Sequence, residues 1–154
     1  MPDSLHVVCP QCDTVNRVPS ARLGAGGKCG RCGGKLFDGR PLALDEERFA
    51  RHAGSSDVPL LVDFWAAWCG PCRAMAPVFE RAAAELEPQF RLVKVDTDAA
   101  PQLAGRLHIT GIPTLMLVHD GREVARTAGA MPLPRLLEWA RRHAPAATEG
   151  NPSA

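Results

Sequence analysis

The chain has 154 residues, of which 45% are hydrophobic and 23% charged, with a formal net charge of +1. This length holds one ordinary domain, or one with a small appendage, and the balanced composition excludes a wholly disordered or collagenous chain. So small a charge gives no field to draw nucleic acid or an anionic membrane. No apolar run reaches the ~18 residues of a membrane span, because the candidate from Val58 to Cys69 is broken by Asp63.

Residues 1–38 hold four of the six cysteines, six glycines and few large apolar side chains. A unit this short does not bury enough surface to fold without a metal or disulfides. From Arg40 the pattern changes to alternating strand and helix signals. Pro41–Leu44 reads as a short strand, and Asp45 caps a helix through His52, with Glu46 and Glu47 in its favourable first turn. Val58–Trp65 is a near-continuous apolar run, as in a strand buried on both faces. Pro71–Glu87 is a helix with Met75, Val78, Phe79, Ala82 and Leu86 on one stripe, and Pro77 is expected to kink it. Arg91–Val95 is a strand and Ala99–Arg106 a short helix. Thr114–Val118 and Glu123–Thr127 flank Asp120-Gly121, a hairpin signal. A last helix starts near Pro132, burying Leu133, Leu136, Leu137 and Ala140, and the Pro/Ala/Gly/Ser-rich residues 145–154 are expected to be a flexible tail. The predicted order is that of an α/β fold, a mixed central sheet flanked by helices on both faces. It follows a small N-terminal module over residues 1–38, with the main domain at 39–144.

The cysteines form three C-x-x-C pairs: Cys9/Cys12, Cys29/Cys32 and Cys69/Cys72. The first residues have no basic region followed by an apolar stretch, so a secretory signal is not expected. The paired cysteines then point to a reducing compartment, the cytoplasm, and to metal ligands or redox catalysts rather than structural disulfides. Cys9 and Cys12, then Cys29 and Cys32 sixteen residues on, have zinc-ribbon spacing. Two intervening residues let both thiolates of a knuckle reach one ion at about 2.3 Å, and two knuckles complete a tetrahedron. One structural zinc is the expectation, with iron the alternative for four tetrahedral thiolates. Arg17, Arg22, Lys28, Arg31, Lys35 and Arg40 outnumber Asp3, Asp13 and Asp38 and are expected to balance the anionic metal centre rather than bind nucleic acid. His6 is a spare candidate ligand; His52, His108, His119 and His143 lack ligand spacing and are expected at the surface.

The third pair differs. It follows the buried strand and opens a helix, which places Cys69 at a helix N-terminus, where a thiolate is favoured. Pro71 suits the first helical position, and Cys72 falls about one turn further in. A lone metal knuckle has no second cysteine pair to complete it. The alternative is a redox couple, in which Cys69 attacks a disulfide and Cys72 resolves the mixed disulfide.

The segment Val62-Asp63-Phe64-Trp65-Ala66-Ala67-Trp68-Cys69-Gly70-Pro71-Cys72 resembles the thioredoxin active site. Gly111-Ile112-Pro113-Thr114 is similar to that family's cis-proline loop, Gly129-Ala130 to its groove glycine, and the N-terminal double knuckle to the zinc-containing thioredoxin 2 type. The resemblance covers roughly residues 40–143. It implies a thioredoxin fold and a protein-disulfide reductase recharged by an NADPH-dependent flavin reductase, with no organic cofactor of its own. It further implies that Asp63 takes the Cys72 proton, that Lys94 pairs with Asp63, and that Pro113 is cis. Trp68, Gly70, Pro71, Ile112, Pro113, Gly129 and Ala130 would then form a small apolar substrate surface, with Trp65 packed beneath it. A second possibility is a redox-sensing zinc module, in which oxidation of the four N-terminal cysteines releases the metal and alters activity or partner binding.

Overall fold

A computed structural model describes residues 3–145; the expected flexible tail lies outside the described residues, apart from Pro145. The chain builds two sheets. The first is an antiparallel pair, β1 (Ser4–Val8) with β2 (Val15–Pro19). Neither strand is expected from the sequence, where Asn16 and Arg17 give β2 no alternating apolar face. Leu5, Val7, Leu23 and Leu36 nonetheless make a small core with Cys9 and Cys29, closed by Val58 from outside the module.

The second sheet has the order β3 (Leu42–Ala43), β5 (Arg91–Asp96), β4 (Leu60–Trp65), β6 (Thr114–His119), β7 (Arg122–Ala128). β3, β5 and β4 run parallel, while β6 and β7 are antiparallel to their neighbours. Asp120 and Gly121, both at positive φ, turn the last hairpin, as their residue types predict.

Side-chain alternation divides the core. Leu61, Leu92, Leu115 and Leu117 meet α2 (Gly70–Leu86) and α4 (Leu133–His143) on one face. Val62, Phe64, Val93, Val95, Met116 and Val118 pack on the other face against Phe49 and Ala53 of α1 (Glu46–Ser55) and Leu103 of α3 (Pro101–Arg106). Asp45 caps α1 by accepting the Arg48 N–H at 2.8 Å, and α2 continues through Pro77.

The N-terminal ribbon is anchored where β4 and β5 begin. Arg91, 3% exposed, donates through Nη2 to the carbonyls of Val8 at 2.9 Å and Leu36 at 2.8 Å. Its guanidinium lies 4.3 Å from the Phe37 ring centroid, and the carboxylate of buried Glu87 is 3.9 Å away. Burial pushes the Glu87 carboxyl up to about 7 against the pull of Arg91. Asp13 makes the second anchor: Arg48 donates to both of its carboxylate oxygens at 2.9 Å, and His52 Nε2 meets Oδ1 at 2.9 Å.

This corrects the expected surface position of two histidines. His52 is fully buried because its Asp13 partner comes from the ribbon. His119 is largely covered, its Nε2 3.0 Å from the Asp57 carbonyl. His108 and His143 are exposed as expected.

Candidate active site and metal centre

Cys69 is the N-cap of α2, and its sulfur accepts the Cys72 N–H at 3.1 Å. The neighbouring unpaired N–H groups and the helix dipole favour negative charge there, and Pro71 occupies the first turn without wasting a donor. Cys69 and Cys72 are joined as a disulfide with Cα atoms 5.2 Å apart. Both are buried, at 4% and 2% exposure, yet Trp68 beside them is 69% exposed.

The Ile112–Pro113 bond is cis, and the Ile112 carbonyl oxygen is 3.7 Å from Cys69 Sγ. The Thr114 hydroxyl donates to the Gly111 carbonyl across the bend, and the Gly129 N–H donates to Pro113 O at 2.9 Å. Gly129 has φ +97°, a backbone conformation that glycine adopts without strain. The loop at Ile112–Pro113 thus comes together with Cys69, and Gly129 joins it through that bond. Arg73, which the sequence did not mark, donates to the Ala67 carbonyl at 2.8 Å and braces the active-site turn.

Asp63 is fully buried in β4 with both carboxyl oxygens unpartnered. Desolvation raises its pKa to about 6, outweighing the opposing charge of Lys94. The two residues are direct neighbours in register. The implied Asp63–Lys94 pair is nevertheless not made as an ion pair: the Lys94 ammonium sits 4.6 Å over the Trp65 ring, an alternative source of attraction for a cation.

At the other end of the sheet, Cys9, Cys12, Cys29 and Cys32 place their sulfurs within 4.8 Å of one another. Cys9 to Cys32 and Cys12 to Cys29 are each 3.6 Å, against about 3.8 Å for the edge of a tetrahedron with 2.3 Å zinc–sulfur bonds. The two knuckles repeat one backbone pattern. Asp13 N donates to Cys9 O and Gly33 N to Cys29 O; Cys9 N donates to Thr14 O and Cys29 N to Gly34 O. Gly33 has φ +77°, and Asp13 takes the same role at φ +61°. A non-glycine there is strained, so this position exchanges backbone ease for the carboxylate that holds Arg48 and His52. Comparing Cys12-Asp13 with Cys32-Gly33 is the sequence signal that would have revealed it.

Backbone N–H groups point at the sulfurs, from Gln11 and Cys12 to Cys9, from Arg31 to Cys29 and from Gly34 to Cys32. The Cys32 N–H first, then the Asn16 side chain, pull the Cys29 thiol down to about 6. Burial pushes Cys9 up to about 11. Gathering four thiolates here therefore needs a cation, and the all-sulfur donor set fits zinc, with iron the other metal that suits it. His6 belongs to no such cluster; its Nδ1 is 3.2 Å from Asp57.

The comparisons with known proteins agree with this geometry. Residues 40–142 match the family model described as Thioredoxin, and residues 8–34 match the model described as Thioredoxin 2, N-terminal. Thioredoxin C-3 of Corynebacterium nephridii is 40% identical over 133 residues, covering 86% of this chain and 91% of the relative. Thioredoxin 1 of a Nostoc species is 44% identical over 100 residues, covering 65% and 94%. Among solved structures, a mutant thioredoxin from Halobacterium salinarum superposes with a TM-score of 0.62 at 29% identity, covering 70% of this chain and 93% of that one. The cysteine pair on a helix cap, the four-cysteine ribbon and these two family matches lead to one assignment: the chain belongs to the thioredoxin family, as a member of the zinc-containing thioredoxin 2 type, and is a thiol–disulfide oxidoreductase.

Proposed function

We propose that the protein is a general protein-disulfide reductase working in a reducing compartment, the cytoplasm. The observation that carries this reading is Cys69 as N-cap of α2 with Cys72 one turn inside it. Cys69, in its thiolate form, attacks a disulfide sulfur of the substrate. Cys72 then attacks the mixed disulfide, releasing reduced substrate and leaving the Cys69–Cys72 disulfide. Asp63, with a pKa near 6, accepts the Cys72 proton through water, and Lys94 acts on Asp63 by charge alone. Trp68, Gly70, Pro71, Ile112, Pro113, Gly129 and Ala130 form the docking surface, where the Ile112 backbone pairs with an extended substrate segment. Disulfide-bearing proteins are the substrates, and an NADPH-dependent flavin reductase recharges the pair.

Residues 1–38 form a zinc ribbon and 39–144 the catalytic domain. Cys9, Cys12, Cys29 and Cys32 would hold one zinc, which would supply folding energy to a unit too small to fold unaided. The ribbon's role is structural, or redox-regulatory if oxidation of the four cysteines releases the metal; their sulfurs lie near enough to one another to form disulfides.

Cys69→Ser is expected to abolish insulin reduction, and Cys72→Ser to accumulate mixed disulfides with substrate. A measured reduction potential near the −270 mV or so usual for thioredoxins supports the reductase; one above about −200 mV makes the protein an oxidant and overturns it.

A further inference from the structure

The four ribbon sulfurs differ in reach: Cys9 and Cys29 are buried, Cys12 is half-buried and Cys32 is exposed. Cys9 lies 3.6 Å from Cys32, and Cys12 3.6 Å from Cys29. Disulfides joined across the knuckles along these contacts each contain one buried and one accessible sulfur. The same is true of disulfides joined within each C-x-x-C. Either pairing leaves Cys32 and Cys12 as the points of attack, and Cys32 is followed by Gly33 and Gly34, which set no side chain over it.

With the ribbon folded and docked on the main domain, the catalytic pair of the same chain does not reach them. The ribbon sits where β4 begins: Asp57 N donates to His6 O, and Val58 packs into the ribbon core. Cys69 follows the opposite end of β4, a six-residue strand spanning roughly 17 Å. Both ends are held, Cys69 by the cap of α2 and the ribbon by Arg91 and Asp13.

We propose that a second copy of this chain is a substrate: the Cys69–Cys72 dithiol of one copy reduces the disulfides of a peroxide-oxidised ribbon on another. This rests on the reductase reading. In the oxidation, each molecule of peroxide takes two electrons from two ribbon thiolates, forming one disulfide and, with protons, two waters; two such events release the zinc. In the repair, the Cys69 thiolate of the donor copy attacks Sγ of Cys32 or Cys12. The ribbon S–S bond breaks, and the buried cysteine leaves as a thiolate. Cys72 gives up its proton and attacks Cys69 Sγ, so the accessible cysteine leaves in turn and the donor carries the Cys69–Cys72 disulfide. Two donors restore the four ligands of one ribbon, which then rebinds zinc.

The acceptor for the test is the full chain with Cys69→Ser and Cys72→Ser, oxidised with hydrogen peroxide and freed of it. Reduced full-length protein is the donor. The expected result is recovery of four acceptor thiols for two donor dithiols, with renewed zinc uptake and a rate proportional to donor concentration. A Cys72→Ser donor should be trapped on Cys32 or Cys12 of the acceptor, as mapped by mass spectrometry. Acceptor disulfides untouched by a donor that reduces insulin would overturn the proposal, as would trapping on Cys9 or Cys29. Peroxide treatment that leaves no ribbon disulfide overturns it as well. Recovery in the wild-type chain at a rate unchanged by dilution would place repair within one copy and contradict it. A donor inactive on insulin too would overturn the reductase reading itself, and the proposal with it.

Discussion

Both carboxyl oxygens of Asp63 are buried without a hydrogen-bond partner, and the group's pKa rises from 3.8 to about 6. The native state thus holds a proton that the unfolded chain has lost between those two values. Stability contributed by this group is present at low pH and falls as pH rises toward 6, above which the buried charge remains a cost. Raising the titration of this fully buried carboxyl from 3.8 to about 6 corresponds to about 3 kcal/mol. Asp63→Asn is therefore expected to stabilise the oxidised protein at pH 8 by up to that amount, with the gain vanishing below pH 4. Denaturant unfolding of both proteins across this range is the check, and a gain independent of pH would contradict it. If Asp63 accepts the Cys72 proton, the same variant turns over more slowly. Asp63 was legible in the sequence because a carboxylate interrupts an apolar run. His52 was not: its partner Asp13 is 39 residues away and approaches only when the ribbon docks.

At the scale of elements, Arg91 shows how one strand end serves two sheets. It opens β5, its Nη2 satisfies two ribbon carbonyls, and its guanidinium lies 3.9 Å from the Glu87 carboxyl. Its removal leaves the buried carbonyls of Val8 and Leu36 without their charged donor, and hydrogen bonds to a charged group are worth about 1.5–3 kcal/mol. Arg91→Ala is expected to lose stability in that range and to weaken zinc retention, as read by unfolding and by metal competition with a chelator. Unchanged zinc affinity would show that the ribbon holds its shape without this anchor. The helices and the five-stranded sheet were legible because hydrophobic period, the Asp45 cap and the Asp120-Gly121 turn all agreed. β1 and β2 were hidden because their core borrows Val58 from beyond the ribbon and closes around cysteine sulfur.

For the whole molecule, the four-cysteine cluster and the Cys69–Cys72 pair lie at opposite ends of the main sheet. The ribbon therefore lies away from Trp68 and Ile112, and any influence of it on the proposed activity passes through the sheet or through a partner. Deleting residues 1–38 removes the acceptors of Arg91 and the Asp13 contacts but leaves the cores on both sheet faces intact. The truncated protein is expected to melt at a lower temperature while still reducing insulin; an unfolded product would show that the ribbon is integral to the fold. Chelation of the full chain is expected to speed hydrogen exchange in β1 and β2 and not in β4 to β6.

The proposed function divides the six cysteines into four that hold a metal and two that turn over. It is tested most directly by metal analysis with thiol counting on the reduced protein and on protein oxidised gently by a small disulfide. One zinc per chain is expected in both samples, with only Cys69 and Cys72 lost as thiols on oxidation. A reduced protein without metal, or oxidation that consumes ribbon thiols before that pair, would contradict it.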